Sequence, residues 1–125
     1  CDGTSAHLLS VNRQHLRLRG GSLELAGLTV NAVAAGPELA AFARRVAAAI
    51  PGLFGYFGID MNMTAAGPVV IEVNPRLTTS YVGLAAALGI NVAQRVVTSA
   101  LRRDPGALER RHDRPVTLGL CDGFA

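Results

Sequence analysis

Several residue types are rare or missing in this 125-residue sequence. There is no tryptophan, and the absence of lysine means that all twelve basic residues are arginines. Aromatic residues are limited to four phenylalanines and two tyrosines. Nucleic-acid-binding surfaces combine clustered basic residues with stacking aromatics, whereas these arginines are scattered along the chain. The net charge of +3 therefore does not indicate a nucleic-acid partner.

Long apolar runs and a leader sequence are also missing. Half of the residues are hydrophobic, enough for the core of one domain, but no run approaches the roughly 20 residues of a membrane span. The chain opens with Cys1-Asp2-Gly3 rather than with a basic and then apolar leader. These features favour a cytoplasmic protein with no membrane partner. The lack of an initiating methionine predicts a fragment of a longer chain.

Cysteine and histidine show no pattern typical of a metal site. Cys1, Cys121, His7, His15 and His112 have no further ligand residue at a useful spacing. We expect the cysteines to be reduced thiols in a reducing compartment, with a terminal disulfide as the alternative. We expect the histidines to be exposed.

Hydrophobic periodicity predicts an α+β fold, in which helices cover one face of an antiparallel sheet. Residues His7 to Val33 alternate like strands around a Gly20-Gly21 loop, which places Leu16 and Leu18 inward. Pro115 to Leu120 is a further short strand.

Three segments have helical spacing. The first begins at Gly36-Pro37-Glu38 and stops at Pro51-Gly52. The second covers Thr78 to Ala87, and Asn91 caps the third. The apolar face predicted for the third helix consists of Ala93, Val96, Val97, Ala100 and Leu101.

The stretch from Gly55 to Ser80 predicts a hairpin with two facing acidic residues. Its strand-like runs, Phe54 to Met63 and Val69 to Asn74, flank a break at Thr64 to Pro68. A turn centred near Ala66 separates the two runs.

This turn places Asp60 opposite Glu72 and Gly58 opposite Asn74, with Val70 on the same face as Glu72. Opposed side chains lie about 5 Å apart, where like charges are destabilising, so a proton or a cation must lie between the carboxylates. With the Asn74 amide oxygen they form an all-oxygen cluster suited to Mg²⁺ or Mn²⁺.

Two neighbouring residues complete the predicted cluster. Gly58 leaves open space beside Asn74, and Arg76 brings a fixed positive charge after Pro75 ends the strand. The alternative is a solvent-facing hairpin whose polar residues have no common function.

Asp60 followed by Glu72-Val73-Asn74 resembles the metal-binding end of the ATP-grasp superfamily. The trailing residues Pro75 to Tyr81, PRLTTSY, narrow the match to the ATP-grasp ligases of methanofuran biosynthesis and their relatives in methylotrophic bacteria. Those ligases join tyramine to the γ-carboxyl of glutamate. D-alanine–D-alanine ligases share the acid and the Glu-x-Asn pattern, but they carry an arginine where this chain has Gly58.

The resemblance implies that residues 1–125 are the C-terminal part of an ATP-grasp domain. It implies an ATP-dependent carboxylate–amine ligase that acts through an acyl phosphate, with ATP, a carboxylate and an amine as partners. Two Mg²⁺ or Mn²⁺ ions would be held by Asp60, Glu72 and Asn74. Ile71, Glu72 and Asn74 would contact ATP, with Ile71 against adenine, and Arg76 would be catalytic. A homo-oligomer is compatible with the sequence.

The absence of lysine has a second interpretation in this context. ATP-grasp enzymes hold the ATP phosphates with lysines from an earlier region, so we expect the isolated chain to be inactive. A coding bias toward arginine explains the composition equally well. Two other functions stay open: a ligase with a different acceptor, and a non-catalytic module that binds ions or a partner.

Overall fold

The computed structural model describes Cys1, residues 5–102 and residues 109–120, with the side chain of Arg102 excluded. The described elements are β1 (Val11–Arg19), β2 (Ser22–Val33), α1 (Pro37–Ala48), β3 (Gly58–Thr64), β4 (Gly67–Asn74), α2 (Tyr81–Leu88), α3 (Val92–Arg102) and β5 (Val116–Gly119). The predicted α+β class is confirmed. The strands form two antiparallel sheets rather than one.

The elements divide into two compact units. One unit contains β1, β2, α2 and β5, and the other contains α1, β3, β4 and α3. Among the described residues, no single helix is long and apolar enough to cross a membrane. The successive helices α2 and α3 reach that length and composition only when counted together across a break.

The first unit is a three-stranded sheet in the order β1-β2-β5. Its β1–β2 turn is the predicted Gly20-Gly21 pair, with φ of 56° and 85°. Helix α2 packs on β2 and β5. A Cβ at Gly83 would lie 2.8 Å from Val30 Cγ2, so glycine permits the close approach of helix and sheet.

The leucines at the tip of the β1–β2 hairpin contradict the sequence prediction. Leu16 and Leu18 are 54% and 73% exposed, and Leu23, the partner of Leu18, is 71% exposed. Among the described residues, β5 pairs with residues Gly27 to Val30 of β2, and the leucines of the tip lie outside this pairing. Alternation correctly predicts a shared face, but that face is not buried.

The loop before β5 caps the C-terminal end of α2. Arg111 N–H donates to Leu88 O at 3.1 Å, and Arg114 donates to Ala87 O and Ala86 O, both at 3.0 Å. The predicted exposure of His112 is confirmed, and its Nε2 also lies 3.0 Å from Ala86 O. Basic side chains stabilise the negative end of a helix in this position.

The helices of the second unit begin where the sequence predicts. Helix α1 has Gly36 as its N-cap and Pro37 in its first turn. Asn91 Oδ1 accepts a hydrogen bond from Gln94 N–H at 2.9 Å, which caps α3.

The thiol of Cys1 donates to Leu53 O at 3.4 Å. Cys121 lies outside the described residues, so its state stays a prediction.

The predicted face of α3 is wrong. Val97 and Leu101 are 57% and 80% exposed, whereas Val92 and Ser99 are buried. The helix therefore turns a different side inward from the one that apolar spacing favours.

Candidate active site

The candidate site is built on the β3–β4 hairpin. The strands pair antiparallel, with Gly58 opposite Asn74 and Asp60 opposite Glu72, as predicted. The connecting residues are Ala65 and Ala66, because Thr64 already pairs with Gly67. Residues 54–57, predicted as strand, lie before β3, whereas Gly67 and Pro68, predicted as turn, belong to β4.

A β-bulge at Ile71 aligns the two acidic residues. Asp60 pairs with Glu72 and Met61 with Val70, so Ile71 is the extra residue of β4. In a regular hairpin with this two-residue turn, Asp60 would face Ile71 instead. The turn puts Val70 opposite Met61, and the extra residue between Val70 and Glu72 places these two side chains on different faces. This corrects the prediction that Val70 shares the face of Glu72.

Asn74 links Asp60 to Arg76 through the two ends of its side-chain amide. Its Nδ2 donates to Asp60 Oδ2 at 3.4 Å, and its Oδ1 accepts from Arg76 Nη2 at 3.0 Å. Asn74 is 7% exposed, so it lies at the buried end of the cluster. A buried amide bonded at both ends holds its neighbours in fixed positions.

Arg76 turns toward the cluster, as Pro75 was expected to allow. The Arg76 amide donates to Asn74 O at 2.8 Å, which closes a tight turn around Pro75. The guanidinium donates from Nη1 to Leu77 O at 3.3 Å as well as to Asn74 Oδ1. The guanidinium is therefore held by two acceptors, Asn74 Oδ1 before Pro75 and Leu77 O after Arg76.

Glu72 completes the cluster on its exposed side. Within the part of the chain that the structure describes, its carboxylate has no hydrogen bond or ion pair. Asp60 is half-buried and bonded to Asn74. Glu72 is thus an exposed carboxylate directly opposite a second carboxylate, a position in which like charges repel.

The donor set fits a hard cation, although not in every predicted detail. Asp60 and Glu72 supply the carboxylates that Mg²⁺ and Mn²⁺ prefer. The Asn74 amide oxygen already accepts from the Arg76 guanidinium, so only one of its lone pairs remains for an ion. Among the described residues, no group of three or more His, Cys, Asp or Glu side chains is placed so that it could hold a metal ion. A metal here would need neutral protein oxygens, water or substrate phosphate as further ligands.

Gly58 does not leave the open space that the sequence predicts. An ideal Cβ at Gly58 would lie 2.7 Å from Thr78 Cγ2 and 3.5 Å from Thr78 Oγ1. The Thr78 side chain therefore fills this position. Sequence reasoning missed Thr78 as a neighbour of the site, although a glycine inside a strand often marks such a close approach.

Ile71, predicted to lie against adenine, is 63% exposed in the bulge. An apolar side chain with this exposure is accessible to a ligand. Its contact with adenine stays a prediction.

Residues 1–80 match the model of a family described as ATP-grasp domain. The match covers more than half of the chain and includes the whole cluster from Gly58 to Thr78. The chain therefore belongs to the ATP-grasp family. Comparison with curated proteins and with solved structures gives no significant match. ATP-grasp domains generally belong to ligases that bind ATP with Mg²⁺ or Mn²⁺.

Proposed function

We propose that the protein is an ATP-dependent carboxylate–amine ligase and that residues 1–125 form the C-terminal part of its ATP-grasp domain. The observation that carries the proposal is the connected cluster of Asp60, Glu72, Asn74 and Arg76. The buried Asn74 amide bonds the Asp60 carboxylate to the Arg76 guanidinium, and Glu72 lies opposite Asp60 in the hairpin. Family membership supplies the ATP chemistry that such a cluster serves.

The carboxylates of Asp60 and Glu72 would hold the ATP-bound divalent ions, with the remaining lone pair of Asn74 Oδ1 as a neutral ligand. Bound there, the ions would neutralise the phosphate oxygens, which is the main requirement of phosphoryl transfer. Glu72 suits this role because its carboxylate is exposed and has no partner among the described residues.

Arg76 would act on the substrate. The reaction transfers the γ-phosphoryl group of ATP to a carboxylate, and the amine then attacks the acyl carbon and expels phosphate. Negative charge grows on the acyl oxygen during that attack, and a fixed guanidinium beside it lowers the barrier. Asn74 and Leu77 occupy one N–H of each terminal nitrogen of Arg76, which leaves other N–H donors for that oxygen.

Ile71 would form an apolar wall for the nucleotide. Its side chain is 63% exposed and projects from the bulge next to Glu72. Adenine stacked on it would bury apolar surface, a favourable contribution of about 25 cal/mol per Å².

The substrates are proposed as L-glutamate and tyramine, in a pathway of the methanofuran type. The support is the resemblance of the segment Pro75 to Tyr81 to ligases of that reaction. The same cluster would serve another amine equally well, because it handles the phosphate and acyl oxygens rather than the acceptor.

ADP release by the full-length protein tests this proposal. The protein is incubated with ATP and Mg²⁺ and with each pairing of a carboxylate panel and an amine panel. The highest rate is expected with L-glutamate and tyramine, and only when both are present. A different productive pair would reassign the acceptor, and no ADP release with any pair would favour a non-catalytic module.

A further inference from the structure

Gly58 is a glycine for a reason other than backbone conformation. Its φ lies outside the left-handed region, unlike that of six other glycines in the described residues. It pairs regularly with Asn74 in the hairpin. The local feature that excludes a side chain is Thr78, whose Cγ2 would lie 2.7 Å from a Cβ at this position. Real Cβ atoms essentially never come this close to another heavy atom.

The contact closes a small loop of chain that contains Arg76. The chain leaves β4 at Asn74 and turns at Pro75, and Thr78 brings it back against Gly58, the strand partner of Asn74. Arg76 is one of the residues of this loop. Its guanidinium is bonded to Asn74 Oδ1 at the start of the loop and to Leu77 O near the end.

One of the two acceptors that hold Arg76 therefore depends on where Thr78 packs. Asn74 is fixed by the strand and by burial. Leu77 is 49% exposed, and its carbonyl directly precedes Thr78, whose side chain lies against Gly58. A Cβ at Gly58 would force Thr78 to shift. Because a β-branched side chain is stiff at χ1, we expect the Thr78 backbone to shift with it, which would move Leu77 O and with it the guanidinium.

We propose that Gly58 and Thr78 are positioning residues for Arg76, with the Thr78 side chain docked on the bare backbone of Gly58 to fix the guanidinium at the site. The effect on turnover rests on the proposed ligase function. Neither residue has to touch the substrate. The pair acts by keeping the Pro75–Leu77 loop in one conformation.

Four full-length proteins test the proposal: wild type, Gly58→Ala, Thr78→Ser and the double variant. Serine keeps the hydroxyl and removes the methyl group that a Cβ at position 58 would meet. Gly58→Ala should lower kcat on the order of 10- to 100-fold, because misplacing a group by about 1 Å can cost 100-fold. The KM for ATP should stay within about three-fold, since this contact does not bind the nucleotide.

Rescue distinguishes positioning from general damage. Thr78→Ser in the Gly58→Ala background should restore kcat to within about three-fold of Thr78→Ser alone, because the clash has been removed. Gly119→Ala is the matched control. It is another strand glycine with ordinary φ, but a Cβ there meets no atom of the described residues within 4 Å, so its kcat should not change. Wild-type kcat in Gly58→Ala, or a double variant whose kcat is more than about three-fold below that of Thr78→Ser alone, would overturn the proposal.

A structural measurement separates this proposal from the ligase function itself. In a crystal structure of Gly58→Ala, Arg76 Nη2 should lie farther from Asn74 Oδ1 than the present 3.0 Å, and the double variant should restore the bond. An unchanged bond would overturn the positioning claim even if no substrate pair were active. A lost bond in a protein that is inactive with every substrate would reject the ligase function alone.

If Gly58→Ala yields no folded protein, Thr78→Ala tests the same contact without a clash. It removes the docked side chain and should lower kcat at least ten-fold with the KM for ATP retained. Wild-type kcat in Thr78→Ala would contradict the proposal.

Discussion

Asn74 is the residue through which the charges of the site are connected. It donates to a carboxylate and accepts from a guanidinium, so each end of the amide has a partner of the matching polarity. The opposite orientation of the amide would direct an N–H group toward Arg76, so the bonding pattern itself fixes the assignment. Asn74 therefore orients both Asp60 and Arg76.

Arg76→Lys tests whether the geometry of the guanidinium matters. Lysine preserves the charge but cannot reach both Asn74 Oδ1 and Leu77 O with a planar fork. If Arg76 stabilises a developing oxyanion, kcat should fall by roughly two orders of magnitude, and ATP affinity should stay within a few-fold.

The measurement is kcat and nucleotide affinity for Arg76→Lys and wild type together. Arg44→Lys is the matched control, because Arg44 is exposed on α1. An unchanged kcat in Arg76→Lys would make Arg76 an ordinary surface residue. Equal losses of binding and turnover would make it a ground-state phosphate ligand.

At the scale of elements, the hairpin was predictable because its turn composition and its polar residues agree. The break at Thr64 to Pro68 placed the turn to within one residue, and the predicted register followed from a turn centred near Ala66. The bulge at Ile71 was not predictable, since no glycine or charge marks it. The turn is centred between Ala65 and Ala66, half a residue before the predicted centre at Ala66. The extra residue of β4 restores the predicted pairing of Asp60 with Glu72.

Elsewhere periodicity predicted the elements but not which of their faces are buried. Leu16 and Leu18 alternate correctly, yet they lie outside the part of the sheet in which the described residues of β5 pair with β2. Helix α3 buries Val92 and Ser99 and exposes Val97 and Leu101. Burial depends on what packs against an element, and a local sequence window does not contain that information.

The Gly20-Gly21 turn gives a prediction about one element. Both glycines have positive φ and space for a Cβ. Gly20→Asn should raise the free energy of unfolding by about 0.5 kcal/mol, because asparagine tolerates this conformation and restricts the unfolded chain. Gly20→Val should lower it by about 1–2 kcal/mol, because a β-branched residue is strained there.

Chemical denaturation of the three proteins measures both differences. Equal stability of the asparagine and valine variants would contradict the positive φ at Gly20.

For the whole molecule, the sequence predicted the ATP-grasp family and the cluster of site residues. Both predictions rest on the spacing of Asp60, Glu72, Asn74 and Arg76. It could not predict Thr78, since the contact with Gly58 depends on how the chain turns after Pro75. The amine acceptor is equally beyond these residues, because their proposed roles concern the phosphate and acyl oxygens and not the acceptor.

The isolated 125-residue chain should not hydrolyse ATP at a measurable rate. It has no lysine, and ATP-grasp enzymes hold the ATP phosphates with lysines from an earlier region. A coupled ADP assay with Mg²⁺ on the purified chain checks this. Mg²⁺-dependent hydrolysis that disappears in Asp60→Asn would show that the chain is sufficient for phosphoryl transfer.

The proposal that the cluster holds the divalent ions of the reaction is tested most directly by the Mg²⁺ dependence of ADP formation. This dependence is compared between the full-length wild type and Glu72→Gln. Glu38→Gln, the same change at an exposed position in the first turn of α1, is the control. Glu72→Gln removes one of two opposed like charges, so its thermal unfolding midpoint should equal or exceed that of wild type. ADP formation should fall by about 100-fold or more, with a higher Mg²⁺ requirement, because an ion ligand is lost. Wild-type turnover by Glu72→Gln at limiting Mg²⁺ would contradict the assignment of the cluster as the catalytic end of an ATP-grasp ligase.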